Sequence, residues 1–216
     1  MSVENTKENL VTLIISAYNA EKTINRAIVS ALRQTYKDLE IIIINDCSED
    51  NTLNIAKQYI SDKVRVFDSS KNSGAYFCRN YGISMSKGRY ITFLDADDWI
   101  DSNHIEILHE SYLKFKNKDY YKGTTISNPK NKLKMVFSSA RFMKEASEGS
   151  DKFEEVVIDF RVLKEPIKAG PYAGSARFHR IEASCFFEKS LLEEFGSFDC
   201  ARFGADSEFL QRVSIE

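Results

Sequence analysis

The sequence has no long apolar run, no closely paired cysteines and no excess of basic charge, and each absence removes a class of function. No stretch approaches the ~20 apolar residues that a bilayer-spanning helix needs. The segment from Met1 to Asn9 is polar, carries both signs of charge and lacks the apolar centre of a secretory leader. Lys and Arg total 30 against 32 for Asp and Glu, a net charge of −2. That balance gives no general attraction to polyanions, so no nucleic-acid partner is expected. The four cysteines, Cys47, Cys78, Cys185 and Cys200, form no Cys-x-x-Cys pair. A zinc or dithiol site is disfavoured, and reduced thiols in a cytoplasmic protein are the expectation. Two phosphate-binding signatures are also missing. There is no Gly-x-x-x-x-Gly-Lys-Ser/Thr loop and no Gly-x-Gly-x-x-Gly turn after the first apolar run, which argues against a P-loop NTPase or a dinucleotide dehydrogenase.

What remains is an ordinary globular composition. The 216 residues are 43% hydrophobic and 29% charged, enough for one domain with a core. The first half alternates strand-like and helix-like segments. Val11 to Ile15, Leu39 to Ile44, Val64 to Phe67 and Arg89 to Leu94 read as strands. The second is almost wholly apolar and β-branched, as a strand covered on both faces should be. Between them lie helical patterns: Ile24, Ala27, Ile28 and Ala31, with Asn19 as N-cap; Leu53, Ala56 and Ile60; Ala75, Cys78, Gly82 and Met85; then Ile105, Leu108, Tyr112 and Phe115. Alternation of this kind predicts parallel βαβ units with right-handed crossovers and helices on both faces. The second half offers strands at Lys134 to Ser138, Glu155 to Phe160 and Ala183 to Phe187 in a less regular order, so the sheet should be mixed. Short helices are expected at Leu191 to Phe195 and Ser207 to Val213. The stretch Lys114 to Lys134 holds seven lysines and one aspartate and reads as a solvated loop; a surface for an anionic acceptor or a membrane is the weaker reading.

In an open α/β sheet, ligands sit beyond the carboxyl ends of the strands. Here each parallel strand runs directly into polar residues: Ser16 to Asn19, Asn45-Asp46, Asp68 with Asn72 to Gly74, and Asp95 to Asp98. Four aspartates, Asp46, Asp95, Asp97 and Asp98, would repel one another on one edge of a partly dry cleft. A hard divalent cation, Mg²⁺ or Mn²⁺, relieves that repulsion and takes its remaining ligands from water and substrate phosphate. Helix capping explains one aspartate of the Asp95 to Asp98 group but not the set. Trp99 is expected in the core rather than stacked on a sugar, and Arg79, one turn past Gly74, is expected to face the cleft.

Five stretches, in this order, make the chain resemble the family 2 glycosyltransferases: Ser16 to Glu21, Gln34 to Asp46, Asn72 to Gly82, Phe93 to Trp99, and Gly196 to Asp199 followed by Ala205 to Phe209. The resemblance implies a GT-A fold, Rossmann-like and three-layered, with a mostly parallel central sheet and a mixed C-terminal half. It implies a single catalytic domain over residues 1–216, with a nucleotide-sugar half at 1–110 and an acceptor half at 111–216. Ala17, Tyr18, Asn19 and Glu21 match the loop bordering the base. Asp46 matches the aspartate that bonds the base, usually uracil, and Arg79 an arginine beside it. Asp95 and Ala96 match positions near the ribose, and Asp97 the ligand of Mn²⁺ or Mg²⁺, with Asp95 beside it. Asp206 matches the general base, with Glu208 or His179 as fallbacks. Inverting transfer from a nucleoside-diphosphate sugar, expected to be a UDP-sugar, to a saccharide or glycolipid acceptor follows, in polysaccharide or glycoconjugate synthesis, in the cytoplasm with peripheral contact at the inner membrane face. Three positions depart from the family pattern: Ser16 for proline, Asn45 for the first acid of an Asp-Asp pair, and Ala205 for glutamate. A sugar nucleotidyltransferase and a non-catalytic nucleotide-binding module are the rivals.

Overall fold

The computed structural model describes residues 8–115, 135–137, 142–145, 153–156 and 185–198, with backbone alone for 135–137, 142–145, 153–156 and Phe115. Strands β1 (Val11–Ala17), β2 (Leu39–Asn45), β3 (Val64–Asp68) and β4 (Tyr90–Asp95) alternate with helices α1 (Ile24–Leu32), α2 (Thr52–Lys57) and α3 (Ala75–Met85); α4 (His104–Phe115) follows. Beyond them come β5 (Met135–Phe137), β6 (Phe142–Glu145), β7 (Phe153–Val156), β8 (Cys185–Glu188) and a short last helix, α5 (Leu191–Phe195).

The main sheet has the order β3-β2-β1-β4-β8-β5. β1 pairs in parallel with β2 and β4, β2 pairs in parallel with β3, and β8 is antiparallel to both β4 and β5. The fold is therefore α/β with a mostly parallel sheet, mixed at its C-terminal side as expected. β6 and β7 form a separate antiparallel pair. β6 has no counterpart in the expected strands, and the expected strand at Glu155 begins two residues early, at Phe153. The expected helix at Ser207 to Val213 lies outside the described residues.

Strand geometry sends alternate side chains to opposite faces, and the central strands carry apolar residues for both faces. Leu13, Ile15, Ile41, Ile43 and Leu94 lie on one face, under α1, α2 and α4. Ile14, Ile42, Ile44, Ile91 and Phe93 lie on the other, under α3 and α5. All seven β2 residues are buried, which accounts for its unbroken isoleucine run. The α1 stripe Ile24, Ala27, Ile28 and Ala31 is fully buried, as its spacing predicts. On α3, Gly82 packs against β1 so closely that a Cβ there would stand 2.5 Å from Ile14 Cγ2.

Three helix expectations are corrected. Asn19 does not cap α1: the chain first makes a turn in which the Thr23 and Ile24 N–H groups donate to the Ala20 carbonyl, so α1 begins four residues further on. Ile60 is exposed, because α2 ends at Lys57 and is too short to carry its stripe that far; Ile55 and Tyr59 pack on the core instead. Ala75 is likewise exposed at the first turn of α3, whereas Cys78 and Gly82 are buried.

Candidate active site

The strand order reverses beside β1: the chain steps outward to β2 and β3, then returns to place β4 on the other side. Crevices form at such switch points, beyond the carboxyl ends of the strands. A cleft of about 800 Å³ opens there. Its lining includes Ala17, Tyr18, Asn19, Glu21, Asp46, Arg79, Asp95, Ala96 and Asp97, nine of the residues singled out from sequence. Asp206, Glu208 and His179 lie outside the described residues.

The wall after β1 is laced to the loop after β2. The Asn19 N–H donates to Ser48 Oγ (3.0 Å), and the Glu49 N–H donates back to Asn19 Oδ1 (2.9 Å). Asn19 holds a φ of 47°, a left-handed conformation that asparagine tolerates better than most residues. The Glu21 N–H donates to Asp50 Oδ2 (3.0 Å), the Asn51 N–H to Glu21 Oε2 (3.1 Å), and the Ala20 N–H to Thr52 Oγ1 (2.7 Å). The side chains of Asn19 and Glu21 thus build the wall itself. Asp50, which sequence reasoning did not single out, lines the cleft and anchors this lacing. Burial pushes its carboxyl up, but bonds from Thr52 and Glu21 outweigh that and leave it below its usual range. Its signal in the sequence is the Asp50-x-Thr52 pair at the start of α2, where the carboxylate accepts the Thr52 N–H at 3.0 Å.

Asp46 sits deeper. It is only 3% exposed, and its carboxylate accepts the N–H groups of Ser73 and Gly74, each at 2.8 Å. It joins the end of β2 to the start of α3, where Gly74 takes a φ of 89°. Cys78 lies beneath: burial first, then the charge and hydrogen bond of Asp46, push its thiol well above the ordinary range. Cys47, Cys78 and Cys185 form no disulfide.

Arg79 does face the cleft. Its side chain is 4% exposed, its Nη2 meets Asp95 Oδ1 at 2.9 Å, and its guanidinium carbon lies 5.5 Å and 5.4 Å from the ring centres of Tyr76 and Phe93. Asp95 is therefore oriented by a nearly buried cation and still presents 39% of its side chain to solvent. Asp97 is exposed at the rim. Trp99 is half-buried, stacked 4.0 Å from the Arg26 guanidinium rather than sunk in the core.

The four aspartates do not share one chelating cluster. Asp46 is taken up by backbone N–H groups, and among the described residues no three His, Cys, Asp or Glu side chains converge as a metal cage. What persists is a negative field at the end of β4. Desolvation, then the charges of Asp95 and Asp97, push the Asp98 carboxyl up to about 6, against a weaker opposing pull from Arg26. Asp98 is nevertheless exposed, so salt and water attenuate the effect strongly. The sign is set by linkage: a carboxyl whose native pKa is raised is ionised more easily in the unfolded chain. Stability therefore falls as pH rises from about 4 to about 6, and the penalty is complete above that window. Asp98→Asn should raise the melting temperature at pH 8 and leave it unchanged at pH 4; equal shifts at both pH values would refute the electrostatic origin.

A mostly parallel sheet with helices on both faces and an acidic, arginine-floored cleft at its switch point defines a three-layer α/β protein with a candidate ligand site. The profile of glycosyl transferase family 2 matches residues 12–178, and the chain belongs to that family. Among curated relatives, it is 40% identical over 116 residues to UDP-Glc:alpha-D-GlcNAc-diphosphoundecaprenol beta-1,3-glucosyltransferase WfaP of Escherichia coli, covering 52% of this chain and 46% of that protein. It is 41% identical over 108 residues to chondroitin synthase of Pasteurella multocida, covering 50% of this chain and 11% of that one. The chain spans less than half the length of these relatives. In architecture it resembles S. aureus TarS, with a TM-score of 0.62 at 18% identity over 94% of this chain and 33% of that one. The same fold recurs in TarS 1–349 in complex with UDP-GlcNAc, with a TM-score of 0.61 at 17% identity over 94% of this chain and 52% of that one. The expected GT-A fold is thereby shown.

Proposed function

We propose that this chain transfers a sugar, with inversion, from a nucleoside-diphosphate sugar to an acceptor hydroxyl in polysaccharide or glycoconjugate synthesis. The carrying observation is the cleft at the ends of β1 and β4, with Asp46 and Arg79 deep inside and Asp97 at the rim. UDP is the expected nucleotide. One relative is named for UDP-Glc, and a structural neighbour is described with UDP-GlcNAc. Tyr18, 48% exposed at the mouth, offers a face for the base, and the partly exposed Asp95 carboxylate offers an acceptor for the ribose hydroxyls.

The residues present fit a divalent cation that shares its shell with a diphosphate. Asp97 and Asp95, both lining the cleft, supply two hard oxygen donors at most. They would not enclose an ion on their own. When bound, the cation supplies charge neutralisation to the leaving diphosphate. The chain's own groups do the rest. The 17–21 loop and Arg79 hold the nucleoside end, and Asp206 takes the proton of the acceptor hydroxyl. That oxygen forms a bond to the anomeric carbon as the bond to the diphosphate oxygen breaks, and its electron pair leaves with the nucleoside diphosphate.

Asp97→Ala should abolish the Mn²⁺-dependent gain in UDP affinity in calorimetric titration and leave metal-free UDP binding intact. An unchanged Mn²⁺ dependence would remove Asp97 as a ligand. Full UDP binding with no turnover of any UDP-sugar by the unaltered protein would favour a non-catalytic module. A sugar nucleotidyltransferase is disfavoured because the loop after β1, Tyr18 to Thr23, contains neither glycine nor arginine.

A further inference from the structure

Helix α1 carries a polar line at four-residue spacing, Arg26, Ser30 and, just past the helix end, Gln34. Each holds part of the segment that runs from Asp97 to Ile105. The Arg26 Nη2 donates to the Asp97 main-chain oxygen at 2.9 Å. Ser30 Oγ donates to the Ala27 carbonyl (2.8 Å) and accepts the Ile100 N–H (3.2 Å). Gln34, only 5% exposed, donates from Nε2 to the Ser30 and Asp101 carbonyls (3.1 and 2.7 Å) and accepts the Ile105 N–H on Oε1 (3.0 Å). The helix is thus a rail along which the acidic loop is laid. Its Gln34 end is buried and doubly bonded. At its other end, beside the cleft, Arg26 holds the main chain of Asp97.

We propose that Arg26 is a positioning residue that sets the direction in which the Asp97 carboxylate meets the donor complex. This rests on the reading of Asp97 as a cation ligand. Arg26 bonds the main-chain oxygen of Asp97 and not its carboxylate, so it fixes the backbone and leaves the carboxylate available. Its flat guanidinium also lies 4.0 Å from the centre of the Trp99 ring, two residues further along the loop. One group thereby holds the loop at two points in two directions. Lysine, a point charge on a flexible stem, cannot do both. Arg26 does not itself line the cleft, so it acts through Asp97 and not on substrate. The Asp98 N–H to Asp95 carbonyl bond, 3.1 Å, closes the turn that contains Asp97, so a shift at Asp97 must reorient the turn as a whole.

The test uses the whole chain, UDP and Mn²⁺, with Arg26→Met and Arg26→Lys. Trp99 is the sole tryptophan, so its emission reports on the loop directly. Arg26→Met should move that emission to the red. It should weaken Mn²⁺-dependent UDP binding about ten-fold, the lower end of what loss of an outer-shell partner does to a metal site, while metal-free UDP binding stays within about two-fold. Arg26→Lys should fall between Arg26→Met and the unaltered protein. The sign discriminates: removing a positive charge beside Asp97 would by itself tighten cation binding, so weakening points to lost geometry. Mn²⁺-dependent binding by folded Arg26→Met that equals or exceeds that of the unaltered protein would overturn the proposal. If Arg26→Met fails to unfold cooperatively, Arg26→Lys decides, and an affinity equal to that of the unaltered protein overturns it. Asp97→Ala in the same titration separates the two readings. Mn²⁺ dependence surviving in Asp97→Ala sinks the cation reading and this role with it. Dependence lost in Asp97→Ala but intact in Arg26→Met sinks the Arg26 role alone.

Discussion

Asp46→Ala is expected to lower the unfolding free energy by roughly 2–5 kcal/mol, and to remove UDP binding even where the protein stays folded. The carboxylate is almost wholly buried and accepts the Ser73 and Gly74 N–H groups at 2.8 Å each. Alanine leaves both donors facing a void. An orphaned buried donor costs about 1–3 kcal/mol, and more where the lost partner was charged. The loss extends beyond the bonds. Gly74 holds a left-handed φ of 89° at the entry to α3, and Asp46 is the group that draws it to the end of β2. Freed, the 69–74 turn no longer sets the first turn of α3, from which Tyr76 and Arg79 reach the cleft. Asp46→Asn should fall in the same direction, because its amide nitrogen would confront one of the two N–H groups. Guanidinium unfolding of both variants checks this. A loss below about 1 kcal/mol for Asp46→Ala would mean that water or a shifted loop satisfies the two donors, so that Asp46 does not pin the turn.

Asp206→Asn is expected to reduce turnover by about 10²–10⁴-fold, the usual contribution of a positioned general base, with Mn²⁺-dependent UDP binding within about two-fold of the unaltered protein. The asymmetry follows from the roles. In the proposed function, donor binding uses groups at the ends of β1 to β4, whereas proton removal from the acceptor uses a residue more than a hundred positions later in the chain. The readout is nucleoside diphosphate released from a panel of UDP-sugars with saccharide acceptors. Unaltered turnover in Asp206→Asn would remove the assignment, and loss on Glu208→Gln instead would transfer the role to Glu208.

The parts of the fold that could be read from the chain are those where one local period dominates. The isoleucines of β2 match a strand covered on both faces, and the 24-27-28-31 stripe a helix with one buried face. Because four such units in series imply parallel pairing, the ends of β1, β2 and β4 could be placed together from sequence, and with them Ala17, Asp46, Asp95 and Asp97. Where turn chemistry and short elements take over, the local signal fails. Asn19 has the character of a cap but serves as a bridge to Ser48 and Glu49, residues thirty positions away. Ile60 continues a stripe whose helix has already ended. β6 is a four-residue strand with no distinctive pattern of its own.

The amino-acid order alone thus specified the layering and which loops meet, since apolar periodicity and chain connectivity are local properties that survive without coordinates. It left open which aspartate faces solvent and which faces protein. Asp46 and Asp97 are chemically identical and both follow strands. Only in three dimensions does the first find two backbone donors 2.8 Å away while the second lies exposed at a rim, held from behind by Arg26. Partners that far apart in sequence are chosen by packing, because hydrogen-bond direction depends on positions that no nearest-neighbour pattern encodes.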